Sequence, residues 1–236
     1  MYTETAMLGL EVPLRASERA YRQLRGEIVT GLLAPGAALL EVEQAERIGV
    51  SRTPLREAVA RLIADGLVVG RRGRGFEVTD ISVDSISELY ELRQALEVQA
   101  IRLAAIRRDP APFTLLREEF VNAPQLLEQG DVGVHRYYRL IDEFEDAVDA
   151  AVGNPFLVGA LRAVRTHLAR IRRLARRNTL RLHAAAAEHL LILDAIIAGD
   201  PSLAAHATHI HLHQSLVSVL AAIDEDLAVS ADQLPN

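Results

Sequence analysis

Two sets of residues in this 236-residue chain have the types and spacing to do chemistry. The first is Arg52-Thr53-Pro54-Leu55-Arg56. Thr53 followed by Pro54 reads as a helix N-cap with proline at the first helical position, where its missing N–H costs nothing. Leu55, Ala58, Val59 and Leu62 recur at three- and four-residue spacing, so one face of this helix is buried. Arg52 and Arg56, four apart, point away from that face. Two guanidiniums and a hydroxyl at a helix start are the groups with which the second helix of a helix-turn-helix meets base edges and phosphates. A solvated amphipathic helix would present the same residues. The second set is His189 and His211. His189 falls on a stripe with Leu182, Ala185, Ala186, Leu193 and Ile196, and His211 on one with Ala204, Ala207, Gln214 and Ser218. An imidazole on such a stripe is either a hydrogen-bonded core residue or a ligand, and the stripes alone leave both open. His206, His209 and His213 lie mostly off the stripe and read as solvated. The chain has no cysteine, which excludes disulfides, thiolate metal sites and thiol nucleophiles.

The arginine pair needs a scaffold, and its neighbours supply one. Ala20, Leu24 and Ile28 are four apart and predict a first helix over Tyr21–Thr30, stopped by Gly31 and followed by a Pro35-Gly36 turn. A second helix, Val42–Ile48, is expected to bury Val42, Ala45 and Ile48 and to end at Gly49. The arginine-bearing helix ends at Asp65-Gly66. Leu67–Val69 and Phe76–Val78 then flank Gly70-Arg71-Arg72-Gly73-Arg74-Gly75, two β-prone runs around a basic turn. Three helices and a basic hairpin form a winged helix-turn-helix, with Arg74 placed to enter a minor groove or grip phosphate. Arg61, five positions past Arg56, is about 140° round the helix and is expected to be solvated or paired within the chain.

Charge divides the chain as the motifs do. Net charge is −6, yet residues 1–79 hold 11 Arg against 10 Asp and Glu, while residues 80–236 hold 15 against 22. The first domain is thus near neutral, with its arginines gathered at one helix start and one turn. Its affinity for nucleic acid should depend on a few placed contacts and on two copies. All 26 basic residues are arginine, which reads as coding bias. No run approaches the ~18 apolar residues of a membrane helix, and Met1-Tyr2-Thr3-Glu4 is not a secretory start; a cytoplasmic protein is expected. Beyond the polar join at Val78–Ser82, with Ser82 a plausible N-cap, only helical periodicity appears. It predicts six helices: Val83–Ala105, Pro112–Gln129, Val132–Ala151, Pro155–Arg177, Leu180–Ala198 and Pro201–Leu227. The fold class is therefore mostly α: a winged helix-turn-helix over 1–79 and an antiparallel all-α bundle of six helices over 80–236.

Gly31-Leu32-Leu33-Ala34-Pro35-Gly36, Val50-Ser51-Arg52-Thr53-Pro54-Leu55-Arg56-Glu57-Ala58 and Asp65-Gly66-Leu67 together resemble the DNA-binding domain of the GntR superfamily of bacterial transcription regulators. The resemblance covers residues 15 to 78. It implies that Arg52, Thr53, Arg56 and the wing-tip Gly75 touch an operator. Glu88-Leu89-Tyr90-Glu91-Leu92-Arg93-Gln94-Ala95-Leu96-Glu97, Ala150-Ala151-Val152-Gly153-Asn154-Pro155, Glu188-His189 and Asp194-Ala195-Ile196 resemble the FCD effector domain of the FadR-type branch over residues 82 to 222. Six helices instead of seven point to the shorter, VanR-like form. The resemblance implies a homodimer, a small carboxylate-type effector met by Arg93, and often a divalent metal. On helix three the family pattern is an Asp, two residues, a Phe and a His. Here Ile141 stands at the Asp position, Phe144 is in register and Glu145 stands at the His position. One ligand is lost unless Asp142 substitutes. Glu145, His189 and His211 would make a three-ligand site suited to zinc, nickel or manganese. Equally, the site is metal-free and the two histidines bind an anionic effector directly.

The sequence thus leads to a dimeric DNA-binding regulator, such as a repressor, governed by an anionic metabolite. Two other classes are kept open. A metal-dependent helical-bundle enzyme would need a base or nucleophile that is not evident, and a constitutive architectural DNA-binding protein would leave the polar stripe residues unexplained.

Overall fold

The computed structural model describes residues 14–71, 75–175 and 178–232. The chain divides into two compact units, with the boundary between Asp80 and Ile81.

The first unit holds α1 (Ala16–Thr30), β1 (Ala38–Leu39), α2 (Glu41–Ile48), α3 (Arg52–Ala64), β2 (Val68–Gly70) and β3 (Phe76–Val78). The apolar faces of α1 and α3 pack together: Ala20, Leu24 and Ile28 join Leu55, Ala58, Val59 and Leu62 in one core, closed by Leu39, Leu67, Val68 and Val78. The strands form an antiparallel sheet in the order β1-β3-β2, with Glu77 opposite both Ala38 and Val69. The hairpin was expected; β1 was not, because two residues give no readable alternation.

Two local expectations are corrected. Arg52 already lies in α3 and Ser51 is the N-cap residue, so Pro54 sits at the third helical position and not the first. Its missing N–H is still among those a helix start leaves unpaired. On α2, Val42 is exposed and Gln44 is buried instead, its side-chain oxygen accepting hydrogen bonds from Arg47. The helix turns Ala45 and Gln44 inward, which carries Val42 to the outside. Arg61 pairs within the chain, 2.7 Å from Glu18 and 3.7 Å above the Tyr21 ring centroid.

The second unit holds α4 (Val83–Arg107), α5 (Pro110–Val121), α6 (Ala123–Leu127), α7 (Gly130–Val152), α8 (Pro155–Ala175), α9 (Thr179–Ala198) and α10 (Pro201–Asp232). The helix expected over Pro112–Gln129 is divided at Asn122, so the expected six become seven among the described residues. Pro124 is the cause: it has no N–H to offer the Phe120 carbonyl, and its ring would clash there. The chain instead closes a tight turn, the Asn122 amide donating to the Glu119 carbonyl at 3.0 Å. Ser82 caps α4 as expected, accepting from the Ser85 amide at 3.1 Å while its own amide donates to Ser85 Oγ at 2.9 Å.

Helix α4 packs against α7, α8, α9 and α10. At its C-terminus Arg107 donates to the Val152 carbonyl at the end of α7, and Arg108 to the Ile197 carbonyl near the end of α9. Both helix ends have unpaired carbonyls and partial negative charge, so successive arginines satisfy two of them. Gly199 follows at φ 73°, where a Cβ would lie 2.4 Å from the Arg108 guanidinium. Of the described helices, none is long and apolar enough to cross a membrane.

Candidate functional site

Arg52, Thr53 and Arg56 are all exposed at the start of α3. They are not unconstrained. Arg56 Nε donates to Glu41 Oε2 at 2.9 Å, and Arg52 Nη2 lies 3.5 Å from the same oxygen. Glu41 opens α2 and is only 21 % exposed, so one carboxylate tethers both guanidiniums. Sequence reasoning missed Glu41, which is 15 positions from Arg56 and on another helix. Gly75 has φ 108°, and a Cβ there would stand 3.1 Å from the Leu39 carbonyl oxygen. The close pass of β1 therefore accounts for glycine at this position whether or not it touches a ligand. Arg74, the expected wing contact, lies outside the described residues. Its neighbour Arg71 is 3.7 Å from Glu77.

In the helical unit a cavity of about 70 Å³ is lined by Tyr90 and Arg93 of α4, Tyr137 of α7, Arg172 of α8, Arg181 and His189 of α9, and His211 and Ser218 of α10, among others. The periodicity that placed both histidines inward is matched by their burial. Their ring centroids are 4.5 Å apart. His189 stacks on Phe120 at 5.1 Å and meets Phe144 edge-on at 5.5 Å. Gln214, expected on the α10 stripe, is exposed, and Thr208, Leu212 and Val219 are buried on that helix instead. His206, His209 and His213 are exposed, as their positions off the stripe required.

Hydrogen bonds set the tautomers. His189 Nδ1–H donates to the Ala185 carbonyl at 2.7 Å, and His211 Nδ1–H donates to Glu188 Oε2 at 2.7 Å. In each neutral ring the lone pair is then on Nε2. Burial, followed by the nearby His211, pushes the His189 pKa down to about 3. Burial, then Arg93, Arg181 and Arg172, pushes His211 well below its ordinary value. Glu188 alone would favour a charged His211, but Arg181 takes up its charge through two hydrogen bonds of 2.8 and 2.7 Å.

Glu145 does not join the histidines. Its oxygens lie 3.0 Å from Arg165 Nε and 2.7 Å from Arg172 Nη2. Burial alone would raise its pKa, but Arg172 and Arg165 outweigh that and hold the carboxyl below its usual range. Asp142 is exposed and Ile141 is buried. Among the described residues, no group of three or more His, Asp or Glu side chains is set to hold a metal ion.

Arg93, expected on the pocket, lines the cavity, is 4 % exposed and donates to Glu97 at 2.6 Å. Arg172 of α8 lines it as well, and so do Arg181 and Tyr137; these three were missed. Their signals were readable: Arg181 and Glu188 are seven apart, hence on one face, and Tyr137 precedes Ile141 and Phe144 on the α7 stripe. Each guanidinium has a carboxylate behind it, yet among the described residues no carboxylate lines the cavity. Among the described residues, the buried Tyr137 hydroxyl and Ser218 Oγ have no hydrogen-bond partner. The wall is therefore rich in donors, with two imidazole acceptors among them.

The family profile described as "Bacterial regulatory proteins, gntR family" matches residues 16–78, and that described as "FCD domain" matches residues 88–214. An HTH-type transcriptional regulator in an unstable DNA locus of Streptomyces ambofaciens is 32% identical over 194 residues, 81% of this chain and 80% of that protein. A probable D-xylose utilization operon transcriptional repressor of Paenarthrobacter nicotinovorans is 34% identical over 186 residues, 79% of this chain and 80% of that protein. Among solved structures, Escherichia coli McbR/YncC has the same fold, with a TM-score of 0.72 at 22% identity over 89% of this chain and 99% of that one.

Proposed function

The chain belongs to the gntR family of bacterial regulatory proteins and is a transcription regulator with an FCD domain, and from that premise we propose that a small anion bound in its helical unit controls its hold on operator DNA. The observation that carries this reading is the cavity wall, where the described residues supply three arginines, two neutral histidines, two buried hydroxyls without partners and no carboxylate. Arginine meets a carboxylate by paired, charge-assisted hydrogen bonds, and a site of this kind leaves its polar groups unsatisfied until the anion arrives. The enzyme reading is disfavoured by what stands behind that wall, where Glu145 and Glu188 are held by arginines.

Control requires that the anion bind the DNA-competent and DNA-incompetent states with different affinity, and linkage makes the effect reciprocal. The test is a melting-temperature screen of short-chain carboxylates, phosphate and sulfate, followed by operator titration with each hit. Arg172→Gln is the informative variant, because Glu145 keeps Arg165 when Arg172 is removed. It is expected to weaken anion binding by about 10–100-fold while the protein still folds. If no anion alters either melting or operator affinity, the proposal fails.

In the first unit, we propose that α3 is the recognition helix and that Glu41 sharpens its selectivity. The carboxylate holds Arg52 and Arg56 in one arrangement and opposes the phosphates of any DNA, matched or not. Glu41→Gln should therefore raise non-specific binding and cut the ratio of specific to non-specific affinity by about 3–10-fold. Stability should shift by less than ~1 kcal/mol, as for other exposed pairs. Competition titrations at matched salt decide it; an unchanged ratio would remove Glu41 from recognition.

A further inference from the structure

The family resemblance implies a metal in the FCD unit, and the donor set present does not fit one. Ile141 offers no donor atom and Asp142 is exposed. His189 and His211 supply two imidazoles, half of a tetrahedral set, and among the described residues no third donor joins them. Glu145 has both oxygens engaged: Oε1 lies 2.7 Å from Arg172 Nη2 and Oε2 lies 3.0 Å from Arg165 Nε. Arg93, Arg172 and Arg181 on the cavity wall would repel an incoming cation.

Helix α8 brings a fixed cation to the same place. Arg172 donates to Glu145 on α7 and still lines the cavity beside His189 and His211. Its charge acts on Arg93 of α4, Tyr137 of α7, His189 of α9 and His211 of α10, groups on four helices round one cavity. Burial opposes that charge, but Glu145 outweighs burial and the guanidinium stays protonated. The residue at position 145 changes in the matching sense. A neutral imidazole there would suit a metal ion, whereas a carboxylate suits a guanidinium, through charge-assisted hydrogen bonds. Asp149, one turn along α7, accepts from Arg165 at 2.8 Å, so the second arginine at Glu145 has a carboxylate of its own. Ile141, one turn before Glu145, is buried and adds no competing acceptor.

We propose that Arg172 takes the place of the metal ion in this helical unit, with Glu145 as the residue that positions it. The central cation is then part of the chain, and the site neither needs nor admits a divalent ion. That this cation meets a bound anion rests on the reading given above; the exclusion of metal does not.

Calorimetric titration of the chelator-treated full chain with zinc, nickel and manganese tests the exclusion. The exposed His206, His209 and His213 can take such an ion weakly, so the central site is read as the binding that His189→Gln removes. None tighter than about 100 μM is expected. The reverse exchange, Ile141→Asp/Glu145→His/Arg172→Ala, restores four donors and removes the cation, and it should tighten zinc binding by at least about 100-fold. Micromolar, His189-dependent binding by the unaltered protein would overturn the proposal, and so would a folded triple variant that gains no zinc. Should the triple variant not fold, the 15N resonances of His189 and His211 in the unaltered protein decide: they should stay in place as each ion is added, and a shift would overturn the proposal. For the positioning role, Glu145→Gln should speed water exchange of the Arg172 guanidinium protons, followed by NMR, by about 10-fold; unchanged exchange would remove Glu145 as the anchor. If metal is excluded and no anion binds, the anion reading fails and the exchange of ion for arginine stands. A melting response to anions that needs added zinc would overturn the exchange and leave the anion reading standing.

Discussion

Arg52→Ala and Arg56→Ala are each expected to weaken specific operator binding by about 1–3 kcal/mol, a factor of roughly 5–150, with loss of discrimination at the base each arginine reads. The expectation rests on exposure, spacing and orientation. Both guanidiniums stand at the start of α3, off the face that buries Leu55, Ala58, Val59 and Leu62, and Glu41 holds them side by side. Arg61→Ala is the internal control. Arg61 is equally basic and on the same helix, yet it is spent on Glu18 and Tyr21, so its removal should alter operator selectivity little. Because the first 79 residues carry almost no net charge, one copy has little non-specific attraction to add. We therefore expect two chains per operator, and the same titration reads that stoichiometry. Normal, salt-matched operator binding by both Arg52→Ala and Arg56→Ala would remove α3 as the recognition helix.

What was legible in the sequence follows the range of the interactions involved. The inward turn of Leu55 and Leu62, of His189 and of His211 is set by 3.6-residue periodicity within one helix, and each is buried. The break at Asn122 was also written locally, in Pro124, and a stricter reading of proline inside a helical run would have found it. Glu41 and Glu145 are different. Whether a carboxylate faces an arginine depends on how one helix is set against another, and no spacing within α2 or α7 encodes that. Glu145 stands at a metal-ligand position by alignment with the family pattern, but α8 brings Arg165 and Arg172 to it, 20 and 27 residues later. Composition was no guide either, since arginine is the sole basic residue and is spread around most helices.

The same pocket should make the helical unit sensitive to mild acid, the second large effect. His189 and His211 are buried and neutral, with the His189 pKa near 3 and His211 also lowered. In the unfolded chain a histidine titrates near ~6.5. Between those values the unfolded state binds the extra proton and the folded state does not, so stability rises with pH across the window. It is complete above about pH 6.5 and drains away as pH falls toward the folded values, at up to about 1.4 kcal/mol per pH unit for each ring. From pH 6.5 to 4.5 the two rings together should cost about 2–5 kcal/mol, against a total stability on the order of 5–15 kcal/mol for a domain. Glu145 acts later, because its lowered pKa keeps it ionised until more acid conditions. Urea midpoints measured between pH 7.5 and 5 therefore report mainly the histidines. His189→Gln should reduce the slope by about half, and His209→Gln, at an exposed position, should not change it. A flat profile over that range, or one equally steep in His189→Gln, would mean that the rings accept protons in place and that the wall around them is wetter and less positive than its geometry requires.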